Sequence, residues 1–97
     1  MKTEELRQLQ EQQADLMHKL RALFDKPNRD FAQIDQTDEE LIMVSITYAT
    51  AFLDAHEAKT ITADEYAVLA AQNLEALKVS KRAKNWLRRQ GRSLSRA

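Results

Sequence analysis

The chain has 97 residues, 15 Lys plus Arg against 15 Asp plus Glu, and no cysteine. This length makes one domain, and the missing thiols exclude a disulfide framework, a thiolate nucleophile and any Cys-ligated metal site. No apolar run reaches the ~18 residues that a membrane span needs, and Met1-Lys2-Thr3-Glu4-Glu5 opens a polar amphipathic stretch instead of an apolar export signal, so a cytoplasmic protein is expected.

A single Gly and a single Pro leave little material for the turns of a sheet. Ala, Leu, Glu, Gln, Lys and Arg dominate, and all are good helix formers. The expected fold is all-α, an antiparallel helical bundle of three main helices with a long C-terminal basic helix. The first helix is predicted over about 4–24. In it Leu6, Leu9, Gln13, Leu16, Leu20 and Leu23 follow one another at spacings of three and four, which makes a heptad seam. Thr3 is its expected N-cap, Met17 and Phe24 widen the stripe, and Pro27 ends it. The seam packs on the other helices of the chain, or it extends a dimer or docks on a partner. In the second case Gln13 helps to set register or oligomer state.

Residues 25–37 are read as a long connection, pinned to the core by Phe31 and Ile34. The second helix is predicted over about 38–58, with Thr37-Asp38-Glu39-Glu40 as its capping box. Leu41, Ile42, Ser45, Tyr48, Ala49, Phe52 and Leu53 mark one face. Met43, Val44, Ile46 and Ala51 lie off it, so the first half is apolar nearly all round, as in a central or interface helix. Ile42, Val44, Ile46 and Tyr48 also alternate with period two; a strand over 41–48 is the alternative, and the capping box and the length of the run favour helix.

The third helix is predicted over about 63–90, behind the capping box Thr62-Ala63-Asp64-Glu65 and a hydrophobic staple between Ile61 and Tyr66. The short link before it makes helices two and three antiparallel neighbours. Tyr66, Leu69, Asn73, Ala76, Ser80, Ala83 and Leu87 mark its core spacing, and a break near Ser80 is the alternative to one continuous helix. Gly91 is the expected C′ residue, with 91–97 a frayed basic tail. At that length the helix overhangs helix two by about two turns.

The zero net charge hides a segregation. Residues 1–75 carry all 15 acids and seven bases; residues 76–97 carry eight bases and no acid. Lys78, Lys81, Arg82, Lys84, Arg88, Arg89 and Arg92, with Asn85 and Trp86 among them, form a candidate surface for a protein partner or nucleic acid. The plainer reading is a helix C-terminus complemented by cations, some of them paired with the chain's own acids. Residues 76–89 also carry part of a helix-turn-helix pattern, with a Ser80-capped recognition helix. Lys78 where a turn favours Gly, and Lys84 where a buried aliphatic is wanted, depart from it, so the continuous helix is the better reading.

Nothing points to chemistry. His18 and His56 are the only histidines and sit in different segments, each expected at the surface. There is no Gly-rich phosphate loop and no nucleophile elbow. No catalytic residue, metal, cofactor or small-molecule substrate is expected. The expected function is that of a small non-enzymatic interaction or regulatory protein, of adaptor or inhibitor type, which binds a larger protein partner through helical surfaces. A homodimer is narrowly favoured over a monomer. The alternative is a nucleic-acid-binding protein that uses the basic helix, and a purely structural subunit assembling through helix one is a third reading.

Overall fold

In a computed structural model the backbone is described over residues 2–96 and side chains over 4–91. Three helices account for nearly all of it: α1 (Lys2–Asp25), α2 (Phe31–Glu57) and α3 (Ala63–Arg96). The all-α three-helix expectation holds, and the strand alternative over 41–48 does not. α2 is the central element. It packs extensively on both neighbours, which touch each other only sparingly.

The start of α2 corrects the sequence reading. Its N-cap is Asp30, in an extended conformation, whose carboxylate accepts from the Gln33 backbone N–H at 3.2 Å. Asp30-Phe31-Ala32-Gln33 is thus the sequence that opens the helix, and nothing after it breaks the hydrogen-bond ladder. Thr37 is therefore no cap. It and Asp38 lie two turns inside the helix and are buried, while Glu40 accepts from Gln36. The connection shrinks to 26–30. Arg29 closes it by donating to the Phe24 carbonyl at 3.0 Å.

The second cap is as expected. The Glu65 N–H donates to Thr62 Oγ1 at 3.1 Å, and the Thr62 N–H donates to Glu65 Oε1 at 2.9 Å. Ile61 and Tyr66 join one apolar cluster, as a staple requires. The end of α2 is a Schellman motif without glycine. Lys59 N–H donates to the His56 carbonyl and Thr60 N–H to the Ala55 carbonyl, with Lys59 at φ 59°.

Two other expectations change, at the start of α1 and the end of α3, while the favoured continuous third helix holds. α1 begins at Lys2, so Thr3 lies within it and not at its cap. α3 has no break near Ser80, and residues 78–80 form no turn for a recognition helix. It also passes through Gly91, which has no positive φ, to Arg96; the side chains of 92–96 and all of Ala97 lie outside the described residues. At 34 residues and ~1.5 Å per residue, α3 accounts for the 54 Å long axis of the molecule.

The core has two apolar clusters. One gathers Leu20, Leu23, Ile34, Leu41, Ala76, Val79, Ala83 and Leu87; the other gathers Leu6, Tyr48, Phe52, Ala55 and Ile61. Between them lie two polar layers, each built from one residue of every helix. Gln13 Nε2 donates to Ser45 Oγ at 3.0 Å and to Asn73 Oδ1 at 2.8 Å. One turn away, Gln72 Oε1 accepts from Gln10 Nε2 at 2.7 Å and from the Tyr48 hydroxyl at 3.3 Å. Burial also pushes the Tyr48 phenol above its ordinary pKa.

Two glycine exchanges check the backbone states. Lys59→Gly removes a strained left-handed residue and should stabilise by about 1 kcal/mol. Gly91→Ala, inside a helix, should stabilise by roughly 0.5–1 kcal/mol. Urea denaturation reads both, and a less stable Gly91→Ala protein would place residue 91 in a left-handed C-terminal turn.

Candidate functional site

The leucine seam is the fold's own core. Leu6, Gln13, Leu20 and Leu23 are buried, and Leu9 and Leu16 are partly buried against the two clusters. Gln13 does act on register, but through hydrogen bonds to α2 and α3 of the same chain. The seam is therefore spent mainly on the chain's own core, with Leu16 and Leu6 also lining open grooves beside α2 and α3.

The C-terminal candidates divide by face. Ala76, Val79, Ser80, Ala83 and Leu87 are buried against α1 and α2. Lys78, Arg82, Asn85 and Arg89 recur at intervals of four, three and four, so they stand in one exposed row along α3. Lys81 and Arg88 are exposed beside that row, three residues before and four after Lys84, hence on its flank. Among the described residues the ion pairs are Arg7–Glu4, Arg21–Glu75 and Lys84–Asp38. Lys78, Lys81, Arg82, Arg88 and Arg89 take part in none of them. Among the described residues, then, only Lys84 of this group has a carboxylate within 4 Å, and Arg82 shares a groove with Asp25. Arg92, expected to prolong the row, has its side chain outside the described residues.

Trp86 is not a free recognition side chain. Its ring meets Phe24 edge-on at 5.6 Å and Phe31 at 6.2 Å, and the Arg29 guanidinium lies 5.0 Å from the Phe24 ring and 5.8 Å from the Trp86 ring. The overhang expected of the third helix does not leave Trp86 uncovered, because α2 begins at Phe31 and so reaches that level. Gln90 still faces the α1–α2 link.

Lys84 is engaged differently from the other cations. Its Nζ lies 3.4 Å from Asp38 Oδ2, and the Asp38 side chain is 1% exposed against 49% for Lys84. Neither Asp38 oxygen has a hydrogen-bond partner, so the pair is a charge contact without hydrogen-bond geometry. A buried carboxylate held this loosely costs stability, because the lost hydration is poorly replaced. The sequence could have flagged it only if Asp38 had been placed inside the helix and not in its first turn.

The histidines are exposed, and His56 stacks on Tyr66 at 4.5 Å. The described residues hold no group of three or more His, Asp or Glu suited to a metal ion, and no helix long and apolar enough to cross a membrane. Comparison with known proteins finds no match: no family model fits the sequence, and no curated protein or solved structure is similar to it.

The Asp38–Lys84 contact predicts opposite effects from its two halves. Asp38→Leu should be neutral or stabilising, by up to about 4 kcal/mol. Lys84→Met leaves the carboxylate without its cation and should destabilise by roughly 1–3 kcal/mol. Urea denaturation that gave the reverse order would contradict this reading of the contact.

Proposed function

We propose that this chain is a small non-enzymatic interaction protein that binds an acidic surface of a larger protein partner along the outward face of α3. One observation carries this reading: a row of exposed cations, Lys78, Arg82 and Arg89, that form no ion pair among the described residues. Surface charge left uncompensated on one side of a neutral molecule steers association and fixes orientation. The row rides on a helix held by its buried face, so the cations are presented on a rigid support. Side-chain ordering then costs less on binding than it would on a loop.

Nucleic acid is the second reading. The absence of any acid after Glu75 favours it, since phosphates would meet no repulsion along this part of α3. The body before residue 76 carries net negative charge and would confine contact to that one face. A continuous α3 makes phosphate contact along the helix the form this would take, without a separate recognition helix.

The test combines Lys78→Gln, Arg82→Gln and Arg89→Gln in one protein. These side chains are exposed, so its melting temperature should stay near that of the parent. Capture of a protein partner from host lysate should survive nuclease treatment with the parent chain and fail with the triple variant. For duplex DNA, fluorescence anisotropy should show little binding at physiological salt. Tight binding whose log–log salt slope falls in magnitude by about 0.9 per lost contact would instead favour nucleic acid. A triple variant that keeps both activities would remove the α3 face from either role.

A further inference from the structure

We infer that the groove between α1 and α2 is a second binding surface, of opposite charge to the α3 row, which takes a basic amphipathic helix of another protein.

The sequence of α2 prepares this surface. It contains no Lys or Arg. Its exposed acids stand at the two ends of the uncharged stretch 41–53, with Glu39 and Glu40 before it and Asp54 and Glu57 after it. α1 adds carboxylates at the same two levels. Asp15 lines one hollow with Glu39 and Glu40, over Leu16, Met43 and Val44. Glu5 lines a second hollow with Asp54, beside Ile46 and Ala51. The α2 residues of the two hollows run from 36 to 54, so together they follow the helix for about five turns, or ~27 Å. Met43 is 65% exposed and Ile46 58%. Thr47 and Thr50 donate to the carbonyls of Met43 and Ile46, so neither hydroxyl needs an outside partner. Exposed apolar groups gathered in this way mark an association face, whereas single scattered ones do not.

Charge selects the occupant. Glu5, Asp15, Glu39, Glu40 and Asp54 form no ion pair among the described residues, and no cation lines either hollow. Lys19, one turn past Asp15 on α1, sets a single positive charge against three acids there. Arg7 pairs with Glu4 and lines the groove toward α3 instead. Lys84 approaches α2 at Asp38, and Glu40, two residues on, points about 160° away from Asp38 around the helix. The occupant therefore carries an apolar stripe with Lys or Arg at both ends, about four turns apart, as Glu40 and Asp54 are. It is helical, because α1 and α2 satisfy their backbone groups internally and offer an extended peptide no ladder to join. A second copy does not qualify. The basic helix of this chain is α3, and its apolar stripe of Val79, Ala83 and Leu87 is buried in its own core. The groove does not use the α3 row, so it adds a second partner to the one proposed above.

A synthetic peptide of ~18 residues, with Leu on one face of its middle turns and paired Lys at both ends, tests this on the full chain. Fluorescence anisotropy should give a Kd on the order of 10 µM that weakens as salt is raised. Met43→Lys should raise Kd roughly 10-fold. Glu39→Gln combined with Asp54→Asn should raise it about 5-fold. All three positions are exposed, so circular dichroism melts of these variants should stay near that of the parent. The same peptide with Glu in place of Lys should not bind, and one of equal composition with its leucines dispersed should bind only weakly. The triple variant of the cationic row should bind the basic peptide no more weakly than the parent, so the two proposals fail independently. The inference is overturned if the basic peptide does not bind, if either control peptide binds as well, or if both α2 variants keep the parent affinity. It is overturned too if the parent chain alone sediments as a dimer that Met43→Lys dissociates, since the groove would then belong to a second copy.

Discussion

The Gln13 side chain is the contact on which the rest of the arrangement depends. Its amide nitrogen donates at once to Ser45 on α2 and Asn73 on α3, at a point where the residue is 1% exposed. A buried amide left without partners costs on the order of 1–3 kcal/mol, so a helix slipped by one turn would lose these bonds and bury their donors unpaired. The neighbouring layer of Gln10, Tyr48 and Gln72 imposes the same demand one turn away. Apolar contacts on either side tolerate sliding. The polar layers do not, and they relate all three helices at once.

From that register follows which surfaces remain free. Once Gln13 faces inward, the leucines at its seam spacing turn inward too, and most of the apolar stripe of α1 is spent within the chain. The parallel run of α1 and α3 then brings Phe24 to Trp86, and the early start of α2 brings Phe31 to the same ring. The aromatic that looked most like a recognition side chain is fixed in a structural cluster. What α3 presents outward is the cationic row, and what α2 presents outward between Leu41 and Leu53 is an uncharged ridge flanked by exposed acids such as Glu39 and Glu57. The two surfaces differ in chemistry, one electrostatic and one apolar, and suit different kinds of contact.

Much of this was legible in the sequence. The three helices, the Thr62 capping box, the staple of Ile61 and Tyr66, and the core spacing of α3 all follow from local patterns, and local hydrogen bonds and periodicity enforce them. The start of α2 was misread because two capping signatures compete within eight residues. Thr37-Asp38-Glu39-Glu40 has the stronger letters, yet Asp30 comes first and the chain behind it contains no breaker. A cap signature inside an already running helix has no orphan amides to satisfy, so Thr37 and Asp38 turn to the core instead. The Schellman turn at Lys59 had no glycine to announce it, and Gly91 announced an end that α3 does not have. The candidate surface was half legible. Charge segregation located the cationic row, but whether the seam faced partner or self depended on Asn73 and Ser45, residues far away in sequence.

The central claim is that the seam of α1 closes inside one chain. A double-mutant cycle on Gln13→Leu and Asn73→Leu, followed by urea denaturation at two widely separated protein concentrations, tests it most directly. The account predicts a coupling of about 1–3 kcal/mol between the two positions, the same at both concentrations, as an intramolecular contact requires. Additive effects, or a coupling that grows with protein concentration, would contradict it and return the seam to an interface between chains.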